Sequence, residues 1–202
     1  DRVKRTCPDL DLLDVVPASI DLSGAELEVA DMENRNVLLK TAVDEFLETS
    51  EEHYDYVIID CPPSLGLLVI NAMCAVHEML IPIQAEYYAL EGLGQLINTI
   101  GLVQEHFNPS LLVSTMLITM FDKRTLLSRE VHDEVKNHYP TIVLNTTIPR
   151  TVKISEAPSF NQSVIAYDPK GMGAIAYCEA ALEIARRSQT VLKAIDARRN
   201  EN

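Results

Sequence analysis

The stretch YDYVIID, residues 54–60, is aromatic and β-branched, nearly continuous in apolar character, and ends in a carboxylate. Such a run suits a strand covered on both faces, as strands of a parallel sheet are. Pro62-Pro63 stops it, and Ser64 can cap an apolar helix to about Val76. The same alternation extends outward in both directions. Downstream, strands are expected at Met79–Gln84, Leu111–Met120, Ile142–Ile148 and Val164–Tyr167. Helices are expected at Ala89–Phe107 and Leu126–Tyr139, as a short turn before Pro158, and at Gly173–Ala194. Upstream, Leu10–Val16 reads as a short strand, followed by helices from Asp21 or Ser23 to about Met32 and over Asn34–Leu47. Strands alternating with helices of this length imply parallel βαβ units. The expected fold is therefore α/β, a doubly wound and mostly parallel sheet with helices on both faces. No linker or internal repeat divides the chain, so a single domain over 1–202 is expected.

The composition is that of a globular protein, with 47% hydrophobic residues in 202. The apolar runs are too short to span a bilayer, and no charged-then-apolar leader is seen, so a cytoplasmic protein is expected. Four cysteines at 7, 61, 74 and 178 form no CxxC pair and no metal-ligand spacing with the five histidines, which suits reduced thiols. A net charge of −13 argues against a nucleic-acid partner when taken as a sum. Its distribution weakens that argument. Residues 1–60 carry a net −11 and residues 61–202 only −2, so a basic patch in the second part remains open.

Ligands of parallel α/β sheets bind beyond the C-terminal ends of the strands. Asp60 stands at such an end, where a Walker B aspartate holds Mg²⁺ directly or through water; the alternative is an Asp that merely starts a turn. Several blocks in fixed order bear on that choice. These are VVPASIDLSGAELE (15–28), YDYVIIDCPPSLGLLVINAM (54–73), LIPIQAEYYALEGLGQLINTI (80–100), ITMFDKRTLLSREVHDEV (118–135) and TTIPRTVKISEAPSFNQSVIAYDPKGMGAIAY (146–177). Together they resemble the ParA/MinD superfamily of partition ATPases, most nearly the chromosomal, Soj-like ParA branch. The family's deviant Walker A loop, KGGVGKTT in form, has no counterpart here: none of the seven glycines precedes a Lys-Ser or Lys-Thr pair. A phosphate loop works by aiming backbone N–H groups and a lysine at the phosphates. The chain thus reads as the portion after that loop, with no catalytic residue assigned within it.

The resemblance implies further roles. Asp60 (for Mg²⁺, through water), Met120 and Pro149 fall at the family's nucleotide positions, Gln84, Glu86 and Glu91 in its dimer region, and Lys123, Arg124, Arg150, Lys153 and Lys170 on its DNA-gripping face. Read alone, Met120 could equally be a core side chain, Pro149 a helix starter, and the acidic and basic residues solvated surface. The family binds Mg·ATP, dimerises on it, coats nucleoid DNA without reading sequence, and hydrolyses ATP when a ParB-like partner stimulates it. This chain alone is expected to bind no nucleotide. A naturally truncated, non-catalytic paralogue that binds DNA or a partner is the second reading. A MinD-like membrane-cycling ATPase is the third, prompted by the basic stretch Ile184–Arg199, although that stretch lacks large aromatic anchors. If the strand that leads into the phosphate loop lies beside 54–60, as in the family, a chain without it should be marginally stable, or show a gap or an altered strand order beside residues 56–60.

Overall fold

A computed structural model describes residues 3–7, 10–63 and 65–200, with no side chain placed for Ser23 or for 189–200. The expected cap Ser64 and the basic side chains at Lys193, Arg198 and Arg199 lie outside that description. Two compact units divide the chain, Asp1–Val76 and His77–Asn202.

In the first unit, β1 (Arg5–Thr6) pairs antiparallel with β2 (Asp14–Val15), replacing the longer strand expected over Leu10–Val16. Three helices follow: α1 (Leu22–Glu28), α2 (Leu38–Thr49) and α3 (Leu67–Ala75). Buried Asn71 ties α3 to α2 and to the turn before it. It accepts from Leu39 N at 3.2 Å and donates to Arg35 O at 2.6 Å and Leu67 O at 3.0 Å. The Glu26 carboxylate of α1 accepts from Leu68 N at 3.0 Å, placing an anion at the α3 N-terminus where the helix dipole favours one.

The strand expected over Tyr54–Asp60 does not form. The stretch joins neither sheet, and Val57 and Ile58 are 47% and 88% exposed. Its start is held by side chains instead: the Tyr54 hydroxyl donates to Asp14 at 2.7 Å, and Lys4 Nζ reaches both Tyr54 (3.0 Å) and Asp14 (3.1 Å). An apolar run specifies burial, but a strand also needs a flanking backbone to satisfy its amides. No described strand pairs with this stretch.

The second unit holds the parallel sheet. β3 (Glu78–Gln84) pairs with β4 (Leu112–Thr119) from Glu78↔Leu112 to Gln84↔Thr119. Residues 142–149 run parallel along the other side of β4, but as an interrupted strand. Leu144 N donates to Met116 O at 2.9 Å and Ile148 N to Ile118 O at 2.8 Å, with a bend at Asn145 between them. Glu183 of the closing helix holds this bend: its carboxylate accepts from the N–H groups of Asn145 and Thr146 at 3.0 and 3.1 Å, so that Thr146 donates to it rather than to β4.

The helices are α4 (Tyr88–His106), α5 (Leu126–His138), the short α6 (Val152–Glu156) with a 3₁₀ turn through Phe160, α7 (Val164–Tyr167) and α8 (Met172–Asn200). The strand expected at Val164–Tyr167 is the single turn α7. Ser163 caps it, its Oγ accepting from Ala166 N at 3.3 Å, and a four-residue segment with three β-prone side chains takes the locally satisfied form. β4 is buried from Ser114 to Ile118 on both faces, as a central parallel strand should be. β3 alternates instead, with Ile81 and Ile83 buried and Leu80, Pro82 and Gln84 exposed. Leu117, Leu144, Ile148, Ala176 and Ala180 form a core between the sheet and α8.

Candidate nucleotide and nucleic-acid site

Three strand ends meet at one edge of the second unit. At the end of β3, Ala85 N donates to Thr119 O at 2.9 Å, and its carbonyl accepts from the buried Ser128 hydroxyl at 3.2 Å. At the end of β4 the chain turns at Met120, a non-glycine residue with φ 54° in the left-handed region. The turn redirects Phe121 onto the third segment, where its N–H donates to Ile148 O and its carbonyl accepts from Arg150 N, both at 3.0 Å. Met120 and Pro149, which the sequence placed at nucleotide positions, therefore lie on adjacent backbones: Phe121, next to Met120, bridges Pro149. Backbone held in a sparsely populated region marks a place where surrounding contacts override local preference. Met120→Gly is expected to change stability by less than about 1 kcal/mol, because relief of the left-handed backbone is offset by the added conformational freedom of glycine in the unfolded chain and by loss of the half-buried Met side chain, read as a nearly unchanged thermal midpoint.

Most of the expected DNA-facing cations already have carboxylate partners. Arg124 grips Asp122 with Nε at 3.0 Å and Nη2 at 2.8 Å, and its backbone N–H adds a third bond at 3.0 Å. These bonds, side chain first and backbone second, lower the Asp122 carboxyl to about 2. The stabilisation from Asp122 is thus present above the ordinary Asp range and lost as pH falls toward that value. Arg150 pairs with Glu86, 64 positions away in sequence. Lys153 pairs with Glu156 at 3.1 Å and lies 5.3 Å from the centroid of the Tyr167 ring. Lys123 and Lys170 are exposed. Gln84 and Glu86 line an open groove of about 310 Å³ with Pro82, Tyr88, Gly92 and Leu96, and Glu91 stands exposed in the first turn of α4.

Asp60 belongs to the first unit and is exposed there. Desolvation first, then the Asp60 charge, raises the neighbouring Cys61 thiol above its usual value, which opposes a nucleophilic role. Hard carboxylate oxygen is the right donor for Mg²⁺, and Mg²⁺ ordinarily takes one or two carboxylates and completes its shell with phosphate and water. The described residues hold no group of three or more His, Cys, Asp or Glu able to bind a metal, so Asp60 would be a single contributor. A phosphate cradle is a different matter. No described glycine has positive φ, and none precedes a Lys-Ser or Lys-Thr pair. The described glycines thus form no phosphate cradle of that kind.

Two pairings escaped the sequence reading, Glu86–Arg150 and Glu183 with Asn145–Thr146. The first has no local signature. Nor has the second, which spans 37–38 positions; only the accompanying Glu183–Arg187 pair, at i,i+4 spacing and 2.7 Å, has one.

Comparison with known proteins agrees with an α/β fold. The AAA domain family matches residues 3–113. The sporulation initiation inhibitor protein Soj of Bacillus subtilis is 51% identical over 173 residues, 86% of this chain and 67% of that protein. The chromosome partitioning protein ParA of Myxococcus xanthus is 45% identical over 179 residues, 89% of this chain and 62% of that protein. Among solved structures, cobyrinic acid a,c-diamide synthase from Mycobacterium smegmatis with bound ADP and magnesium superposes with a TM-score of 0.75 at 35% identity, over 93% of this chain and 67% of that one. These are α/β, P-loop NTPase-like proteins. The chain belongs to the ParA/Soj family of chromosome-partitioning proteins and spans roughly two thirds of the length of these relatives.

Proposed function

We propose that this chain serves in a partitioning ATPase, in which Mg·ATP drives dimerisation, the dimer holds DNA without reading sequence, and a ParB-like partner stimulates hydrolysis and release. Such a protein would be cytoplasmic and nucleoid-associated; no helix among the described residues is long and apolar enough to cross a membrane. The observation that carries the reading is the strand-end cluster of the second unit. The Met120 turn and Pro149 share one backbone junction, Arg150 follows directly on it, and Arg124 sits beside Asp122 at its rim. This is the edge at which a parallel sheet binds ligands. Asp60 would face the metal, Gln84, Glu86 and Glu91 the second subunit, and Lys123, Arg124, Arg150, Lys153 and Lys170 the DNA phosphates. Both units lie within one continuous alignment to the B. subtilis relative, which favours reading them as one ParA-like domain.

The test is titration of the native protein with labelled random-sequence duplex, with and without Mg·ATP. ATP-dependent binding of similar strength to unrelated sequences is expected, and binding indifferent to nucleotide would overturn the reading. The 202-residue chain itself, whose described residues form no phosphate cradle, is expected to show no detectable binding of fluorescent ATP. Clear micromolar binding would show that other residues do that work. The non-catalytic reading rests on the same observation and would be favoured if the native protein bound DNA with no response to ATP.

A further inference from the structure

We infer that Glu86 is an intramolecular competitor for DNA phosphate, holding Arg150 until events at the β3 end draw the carboxylate away. The inference rests on the DNA-binding reading above. Arg150 and Glu86 come from separate strand ends and meet with side chains 51% and 50% exposed, so the pair is open to solvent and to a ligand. A guanidinium presents the same fork of donors to a carboxylate as to a phosphate, so Glu86 and a DNA phosphate compete for the same donors. Arg124 has a comparable partner in Asp122, but that pair is two residues long and closed by a backbone hydrogen bond, with no second element to release it.

Glu86 differs in what surrounds it. The backbone beneath it is fixed: Ala85 is bonded to Thr119 and Ser128, and Glu86 N donates to Gln84 O at 2.8 Å. Its side chain also lines the open groove beside Gln84, Tyr88 and Gly92. A second subunit seated on that groove would meet the Glu86 carboxylate directly, and any cation it offered there would free Arg150. Occupation of the groove and exposure of a DNA-binding guanidinium are thereby coupled through one ion pair.

The experiment is a double-mutant cycle. Affinity of the native protein for a labelled random-sequence duplex is measured without nucleotide and with Mg·ATP, for wild type, Glu86→Gln, Arg150→Ala and the double variant. Glu130→Gln, at an exposed carboxylate of α5 in the same unit, serves as a control for loss of one negative charge. Exposed pairs are weak, so Glu86→Gln should tighten nucleotide-free binding by only about two- to five-fold. That gain should disappear in the Arg150→Ala background, shrink in Mg·ATP, and exceed the effect of Glu130→Gln. An equal gain in both backgrounds, or one matched by Glu130→Gln, reduces Glu86 to general charge and overturns the inference. Wild-type binding that Glu86→Gln leaves unchanged overturns it alone. Failure of every variant to bind DNA in either condition removes the DNA-binding reading and the inference with it.

Discussion

Arg150→Ala combined with Lys153→Ala is expected to weaken binding of random-sequence duplex by the native protein in Mg·ATP by about 15-fold near 0.1 M salt. Each phosphate contact contributes a salt slope of about −0.9, so two contacts supply close to 60-fold in affinity at that concentration. Two opposing costs reduce this. Arg150 must leave Glu86, and Lys153 must leave Glu156. Exposed pairs of this kind are worth roughly 0.5 kcal/mol, or about two-fold each. The slope of log affinity against log salt should fall by about 1.8 in magnitude, equally for all sequences, because no base edge is involved. Thermal stability should change by less than about 1 kcal/mol, so the loss cannot be assigned to unfolding. An unchanged salt slope would remove both residues from the DNA face.

What the sequence disclosed follows from which interactions are local. Helices α4 and α5 were legible to within about a residue because caps and apolar spacing are local; Thr125, for example, caps α5 by accepting from Ser128 N at 3.3 Å. β3 and β4 were legible because their apolar runs have the partners they require. The run 54–60 carries at least as strong a strand signal and forms none, because pairing depends on a neighbour that no local pattern specifies. Val164–Tyr167 failed for the converse reason: a capping serine outweighed β propensity over four residues. At the candidate site, the sequence named residues that the fold brings to one edge, Met120, Pro149, Arg150 and Arg124. It missed their carboxylate partners, since Glu86 and Arg150 are brought together only by adjacent strand ends.

Glu183→Ala is expected to destabilise the second unit by about 2 kcal/mol, a larger effect than loss of any exposed ion pair considered above. One carboxylate there accepts from Asn145 N at 3.0 Å, Thr146 N at 3.1 Å and Thr146 Oγ1 at 3.1 Å, while Arg187 donates to it at 2.7 Å. Arg187 in turn donates to the carbonyls of Ile142 and Val143 at 3.1 and 3.2 Å, so the pair fastens α8 to the third sheet segment on both sides of its bend. Hydrogen bonds to a charged acceptor are worth about 1.5–3 kcal/mol where the partners are left unsatisfied, and water can reach Asn145, which holds the estimate to the lower part of that range. For a domain of this size the thermal midpoint should fall by about 4–8 °C, read by far-UV circular dichroism. Desolvation raises the Glu183 carboxyl, but the Asn145 and Thr146 N–H groups, the Thr146 hydroxyl and Arg187 outweigh it and pull the group below its usual 4.5. Its contribution is therefore complete above that value and disappears as pH falls through the depressed one. Glu183→Ala should accordingly show less acid-induced loss of stability than wild type across that interval. Equal midpoints for the two proteins at neutral pH would mean that the bend at Asn145 is held by the sheet itself and not by α8.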